Sequence, residues 1–357
     1  MLANHGITAE EIGRVVVFRA LYLGDLLLAI PALRSLRGAF REAEITLIGL
    51  PWARELIRRF RYVDRFLEFP GFDGIPETSF DEIQTRAFLD AARAYGYDLA
   101  IQMHGNGQIS NRFVAALGAK CSVGFSLDGA SDSLLSLSLP YVEQEHEISK
   151  CLRLVQLVGA QGGDSRLEFP LNDADERELR DLSGTHGLDF GEQWIGLHVG
   201  AKHPAKLWSV GAWAAVARAL AEMPGVRVIL TGSKAEQNLA VEVADRSSPR
   251  VVNLAGQTSL GGLAALIARM GLLVTGDSGP AHLATAVGTK SVVIFGPTDP
   301  RRWGPLDRQR HRVVYKPVSC SPCTNRACPT DHRCLKAITP DDVLAEAFQL
   351  LSLQQRS

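Results

Sequence analysis

No apolar run in this chain reaches the about 18 residues that a membrane-spanning helix needs. Residues 1–14, MLANHGITAEEIGR, contain no apolar core of the kind a secretory leader carries, so no signal peptide is expected. An excess of charge of either sign is also missing. The net charge is −1, which argues against bulk nucleic-acid binding and leaves room only for a local basic patch. The first apolar run is not followed by G-x-G-x-x-G, so the dinucleotide fingerprint is absent. Short internal repeats and low-complexity tracts are absent as well. Six cysteines among 357 residues do not make a disulfide scaffold. The cytoplasm is the expected compartment.

What is present is ordinary globular composition, 46% hydrophobic and 22% charged, with enough chain for two cores. Short β-branched runs at 15–18, 45–48 and 98–102 alternate with helical patterns at 26–40, 52–60 and 80–95, which predicts an open, mostly parallel sheet. Around 167–191 the apolar periodicity weakens and charge, Gly and Pro dominate. A second alternation follows, with strands expected at 194–199, 226–231, 251–254, 272–275 and 291–295. The expected organisation is therefore α/β, with two Rossmann-like domains facing across a crevice. The N-terminal one, on the acceptor side, covers 1–180, and the C-terminal one, on the donor side, covers 190–338 with a Cys-rich loop at 318–336. A C-terminal helix at 339–357 follows, with Thr339 as cap and Pro340 at its first position.

In the second half a glycine stands at or just after each expected strand: Gly200, Gly232, Gly256, Gly276 and Gly296. In a parallel sheet those ends share the edge where open α/β sheets bind ligands, although any one glycine can simply terminate its strand. Residues 272–296 read strand, Gly-Asp-Ser-Gly turn, helix, strand, and bring Asp277, Ser278, Gly279 and His282 to one helix N-terminus. That terminus can receive a phosphate. Gly-Asp-Ser-Gly also matches part of a trypsin-like nucleophile segment. Pro280 breaks that pattern, and alternating strands and helices do not make a serine-protease barrel. Gly200 and Ala201 open a loop holding Lys202, His203 and Lys206, a placement suited to neutralising a diphosphate. Glu236 can accept from a ribose diol, or simply start a helix; His282 can be a ligand or a packed core histidine.

In the first half Asp25 follows a glycine at a strand end, where it can act as general base or cap the next helix. His104 and Asn106 are candidate acceptor-side residues at another strand end. Arg54, Arg58, Arg59, Arg61 and Arg65 form a basic cluster, either a solvated face or a surface for an acidic acceptor or the membrane.

The segments GDLLLAIPALRSLR, GAKHPAKLWS, TGSKAE, LAGQTSLGGLAALIARMGLLVTGDSGPAHLATAVG and IFGPTDPRRWGP resemble the ADP-heptose:lipopolysaccharide heptosyltransferase family of inverting glycosyltransferases over nearly the full chain. The resemblance implies a GT-B fold, a nucleotide-diphosphate sugar donor with an ADP-linked one favoured, and a glycan or glycolipid acceptor. It implies no cofactor for transfer. The charge balance gives no nucleic-acid partner, and the basic cluster adds peripheral contact at the inner face of the cytoplasmic membrane as a further expectation. The family resemblance goes further. It carries Asp25 over as general base, Lys206 as the donor-phosphate lysine and Asp277, Ser278, Gly279 and His282 as the diphosphate and sugar block. Glu236 falls at the ribose acid and Thr258 near the adenine. Ser278 stands where some members have threonine. A protein or small-molecule transferase, a sugar-nucleotide epimerase and a non-catalytic sugar-nucleotide-binding protein are the alternatives.

Cys320, Cys323, Cys328 and Cys334 read C-x₂-C-x₄-C-x₅-C. Structural zinc or iron, disulfides or free thiols, and redox chemistry are all open for them. The resemblance points to a structural role. Cys121 and Cys151 are expected as ordinary buried residues.

Overall fold

The computed structural model describes residues 11–127, 134–161 and 163–352. The chain divides into two compact units, Met1–Arg166 and Leu167–Ser357. In the first, strands β1 (Arg14–Phe18), β2 (Glu44–Gly49), β3 (Arg65–Glu68), β4 (Leu99–Gln102), β5 (Cys121–Ser126) and β6 (Leu137–Pro140) form one parallel sheet in the order β3-β2-β1-β4-β5-β6. Val15 to Phe18 are fully buried, as expected of a central strand covered by helices on both faces. Strands β3, β5 and β6 go beyond the sequence pattern. β3 and β6 are short, half-exposed edges, and β5 carries serines and a glycine, so none shows the continuous β-branched run that marks β1.

The helix after β1 spans Leu23–Ala39, so Gly24 and Asp25 lie in its first turn and not in a turn that precedes it. The cause is local. Tyr22 is extended, its carbonyl accepts from the Leu26 N–H at 3.0 Å, and its own N–H donates to Asp25 Oδ2 at 3.3 Å, meeting a donor that the helix start leaves open. The helix packs along Glu147–Gln156.

In the second unit, strands β7 (Gln193–His198), β8 (Val226–Thr231), β9 (Val251–Asn253), β10 (Leu272–Gly276), β11 (Ser291–Phe295) and β12 (His311–Tyr315) form a second parallel sheet in the order β12-β11-β10-β7-β8-β9. Both sheets therefore have the same winding, and each reverses its strand order beside its first strand, at β1/β4 and at β7/β10. Ligands of open α/β sheets bind at the carboxyl ends flanking such a reversal. The charge-rich stretch near 180 holds the helix Asp173–His186, which packs on Leu260–Arg269; Glu178 accepts from the Ser259 N–H and hydroxyl at 2.7 and 2.6 Å. The helix Pro340–Ser352 buries Val343, Ala347, Leu350 and Leu351 in the core that also holds Trp208 and Trp213. Among the described residues no helix is long and apolar enough to cross a membrane.

Candidate active site

In the second unit the strand-order reversal is where the chemistry gathers. β10 ends at Gly276, and Asp277 follows almost fully buried. Its Oδ2 accepts from Lys206 Nζ at 2.7 Å and from the Thr298 hydroxyl, and Lys206 Nζ also reaches the Asp277 carbonyl at 3.3 Å. Burial pushes the Asp277 carboxyl up, but the charge and hydrogen bond of Lys206, the Thr298 hydroxyl and nearby His282 together hold it below the usual carboxylate range. Lys206 sits on a tight turn, Pro204–Lys206, and its ammonium, on a side chain about one-quarter exposed, is thereby fixed and still open to a ligand.

Ser278 caps the helix Gly279–Val287 through its backbone position alone. Its hydroxyl is shared with Thr275 Oγ1 at 3.2 Å and the Gly276 carbonyl at 3.3 Å. Pro280 brings no N–H and the Ala281 N–H donates to the Ser278 carbonyl at 3.0 Å, so Gly279 supplies the donor that this terminus offers an anion. His282 is buried in the same helix, near enough to Asp277 to act on its charge.

Across β7 the second cluster forms. His198, between Thr231 and Thr275 in register, bonds Thr231 Oγ1 through Nδ1 at 3.1 Å and approaches Glu236 Oε2 at 4.0 Å through Nε2. Burial holds this imidazole below its ordinary pKa, with Glu236 opposing. Glu236 also accepts from the Ser233 N–H at 2.6 Å and lies over Gly200, where no side chain intervenes. It is thus both a helix-start carboxylate and a group presented at the strand edge. Ala201 is half-buried just beyond Gly200, and Thr258 is half-buried in the loop before Leu260–Arg269.

The four C-terminal cysteines are free thiols, and among the described residues no three or more His, Cys, Asp or Glu side chains stand where they could hold a metal ion. The zinc or iron expectation is thus unsupported by the side-chain arrangement, with Cys320 exposed and Cys334 buried. The loop works through its backbone instead. The Cys323 N–H donates to the Pro297 carbonyl at 2.6 Å, next to Thr298, and the Ala205 N–H donates to the Arg326 carbonyl at 3.1 Å, next to Lys206. His332 Nε2 approaches the Pro204 carbonyl at 3.3 Å. Burial first, and then the charges of Lys206, Arg326 and Lys202, push the His203 imidazole down, so this corner is electropositive.

In the first unit, Asp25 is half-buried at the β1 edge. His104 is nearly buried, stacked on Phe18 at 4.8 Å; its Nδ1 accepts from the Ala20 N–H at 3.2 Å and its Nε2 lies 3.5 Å from Glu77 Oε2. Asn106 Oδ1 accepts from the Gln108 N–H at 3.1 Å. Both side chains therefore shape the loop after β4. In the arginine cluster, Arg54 pairs with Glu68 at 3.1 Å, Arg59 with Glu55 at 3.5 Å and Arg65 with Glu44 at 3.3 Å, while Arg58 and Arg61 are exposed. Cys121 and Cys151 are buried as expected.

Two six-stranded parallel α/β units of this winding have the GT-B fold, and the chain is a glycosyltransferase. The model of glycosyltransferase family 9 (heptosyltransferase) matches residues 85–333, and the chain belongs to that family. It is 26% identical over 353 residues to lipooligosaccharide heptosyltransferase 2 of Campylobacter jejuni, covering 95% of this chain and 98% of that protein. Its fold is similar to that of a glycosyl transferase of family 9 from Veillonella parvula, with a TM-score of 0.79 and 21% identity over 95% of this chain and 97% of the other. It is also similar to Escherichia coli ADP-heptose lipopolysaccharide heptosyltransferase II, with a TM-score of 0.75 and 23% identity over 96% and 100% of the two chains.

Proposed function

We propose that this protein moves a heptose from ADP-heptose to a hydroxyl of a lipopolysaccharide-core or related glycan acceptor, in a single displacement that inverts the anomeric centre. Asp25 takes the proton of the acceptor hydroxyl, the freed oxygen attacks the anomeric carbon, and the bond to the nucleotide diphosphate breaks as the diphosphate leaves. The observation that carries the reading is the Lys206–Asp277 pair at 2.7 Å beside the Gly279 helix start. A fixed ammonium and a helix N-terminus stabilise the departing negative charge, so transfer needs no metal. Glu236 takes the ribose and Thr258 lies by the adenine, with Gly200, Ala201, Ser278 and His282 completing the donor side. The names of the similar heptosyltransferases support heptose and ADP over other sugars and nucleotides. A lipid-linked acceptor would put the reaction at the inner face of the cytoplasmic membrane, where exposed Arg58 and Arg61 suit an anionic surface.

The test is ADP release from ADP-heptose with and without a heptose-accepting core oligosaccharide, in the presence of a chelator, for the wild type and Asp25→Asn. The wild type should turn over only with acceptor. Asp25→Asn should lose transfer by a factor of about 10²–10⁴ and bind ADP-heptose unchanged. An active Asp25→Asn variant removes the base assignment, and no turnover with any core acceptor overturns the heptosyl reading.

A further inference from the structure

Arg19 directly follows β1, and its side chain is buried, the residue being 3% exposed. Its Nε donates to the Asp25 carbonyl at 2.8 Å and its Nη1 to the Met103 carbonyl at 2.5 Å. One guanidinium thus ties the first turn of the helix Leu23–Ala39 to the end of β4, across the strand-order reversal of the first unit. Its Nη2 meets no hydrogen-bond acceptor among the described residues. A buried cation with an unmet N–H is a costly way to join two carbonyls, because a neutral donor would avoid most of the desolvation. The cost points to a use for the charge.

The groups that act on Arg19 come from three elements. Cys151 and Glu147 act on its charge from the helix Glu147–Gln156, where Lys150 also lies, Asp25 from the first turn of the helix Leu23–Ala39, and Tyr141 from the segment after β6. Burial pushes the Cys151 thiol up to about 11, so it carries no charge at neutral pH. Glu147 Oε1 accepts from Lys150 Nζ at 2.7 Å, and that buried pair is internally neutral. The anion left to balance Arg19 is the Asp25 carboxylate.

We propose that Arg19 is a positioning residue for Asp25: it fixes the helical turn that carries the carboxylate, and its charge keeps that carboxylate ionised until the acceptor proton arrives. This rests on Asp25 being the base. The proton passes from the acceptor hydroxyl to an Asp25 oxygen, and Arg19 itself gives up none.

The test compares pH–rate profiles of wild type, Arg19→Gln and Arg19→Lys with ADP-heptose and core oligosaccharide, alongside ADP-heptose affinity and melting temperature. In Arg19→Gln the acid limb of kcat/KM should move up by about one pH unit. Its kcat near neutral pH should fall by about tenfold or more, and donor affinity should stay within about twofold. Arg19→Lys keeps the charge but cannot span both carbonyls, so it should lose rate with the acid limb in place. An unmoved limb in Arg19→Gln, or one displaced equally in Arg19→Lys, overturns the inference. If Arg19→Gln does not fold, the Arg19→Lys profile decides: a limb in place with reduced kcat supports it, and a displaced limb overturns it. Asp25→Asn separates the two claims. If that variant is inactive and the Arg19 result fails, only the role of Arg19 falls; if it is active, the base reading itself falls.

Discussion

Lys206 Nζ and Asp277 Oδ2 stand 2.7 Å apart in a pair whose acid is almost fully buried and whose base is about one-quarter exposed. The asymmetry sets what each contributes. Asp277 is held below the usual carboxylate range against its own burial, so it adds stability that is present above that range and lost as pH falls through its folded value. Lys206→Met leaves a buried carboxylate without its cation. It should cost the second unit about 2–3 kcal/mol at neutral pH, less than a fully buried pair because the lysine is partly solvated. Urea melts measure this, and ADP-heptose titration should show a loss of affinity beyond any shared with Asp25→Asn. Unchanged stability and affinity would mean that the pair neither holds the site nor meets the diphosphate.

Ser278 has the sequence neighbours of a nucleophile but the bonds of a spacer. Its hydroxyl lies between Thr275 Oγ1 and the Gly276 carbonyl at the end of β10. Both partners hold the hydroxyl to the end of the strand, whereas a serine nucleophile needs a base within hydrogen-bond reach to take its proton. Ser278→Ala should therefore keep kcat within about fivefold, because the hydroxyl is not attacked or attacking. A loss near that of a removed nucleophile, about 10⁴ or more, would return the hydrolase reading.

His311 gives the second unit an acid-sensitive joint. It begins β12, is buried, and its Nδ1 pairs with Ser291 Oγ at 2.9 Å at the start of β11. Burial pushes it down to about 4, with Asp307 opposing and Arg310 assisting. A histidine whose folded value is depressed binds fewer protons folded than unfolded. Its contribution is full above the ordinary histidine value and is lost as pH falls from there toward 4. The whole effect is on the order of 3 kcal/mol, most of it gone by about pH 5. Urea melts at neutral pH and at about pH 5 should show this slope, and His311→Gln should flatten it. His198 is depressed in the same direction, so some slope should remain in the variant.

What the sequence made legible was local. The Gly276-to-His282 turn, the Gly200 loop and Asp25 each lie within a few residues of a strand end, so strand periodicity and glycine placement sufficed to bring them to the right edge. Thr298, 21 residues from the carboxylate it meets, and Arg19, 84 residues from Met103, carry no such local mark. The cysteines show a second limit. Their spacing was visible and invited a metal, yet the contacts that matter run from the Cys323 and Ala205 main-chain N–H groups, which no side-chain pattern encodes. Strands β5 and β12 were missed because CSVGFS and HRVVY interrupt their apolar residues with small or charged ones and sit away from the sheet centre.

Gly200 supplies the sharpest test of the ribose assignment. A methyl group there would lie 2.0 Å from Glu236 Cδ and 2.1 Å from Oε1, far inside contact distance. Glu236 is flexible at that end, so the chain can relieve the clash by swinging the carboxylate away from the Ser233 N–H and from His198. Gly200→Ala should then cost only about 1 kcal/mol of stability, the price of one capping hydrogen bond. Donor affinity is the informative quantity. If Glu236 holds the ribose, Gly200→Ala should weaken ADP binding by about tenfold, Glu236→Ala by a similar factor, and the double variant by little more than either. Losses that multiply in the double variant would show that the glycine and the carboxylate act on the donor separately, and an unchanged ADP affinity in Glu236→Ala would remove its ribose role.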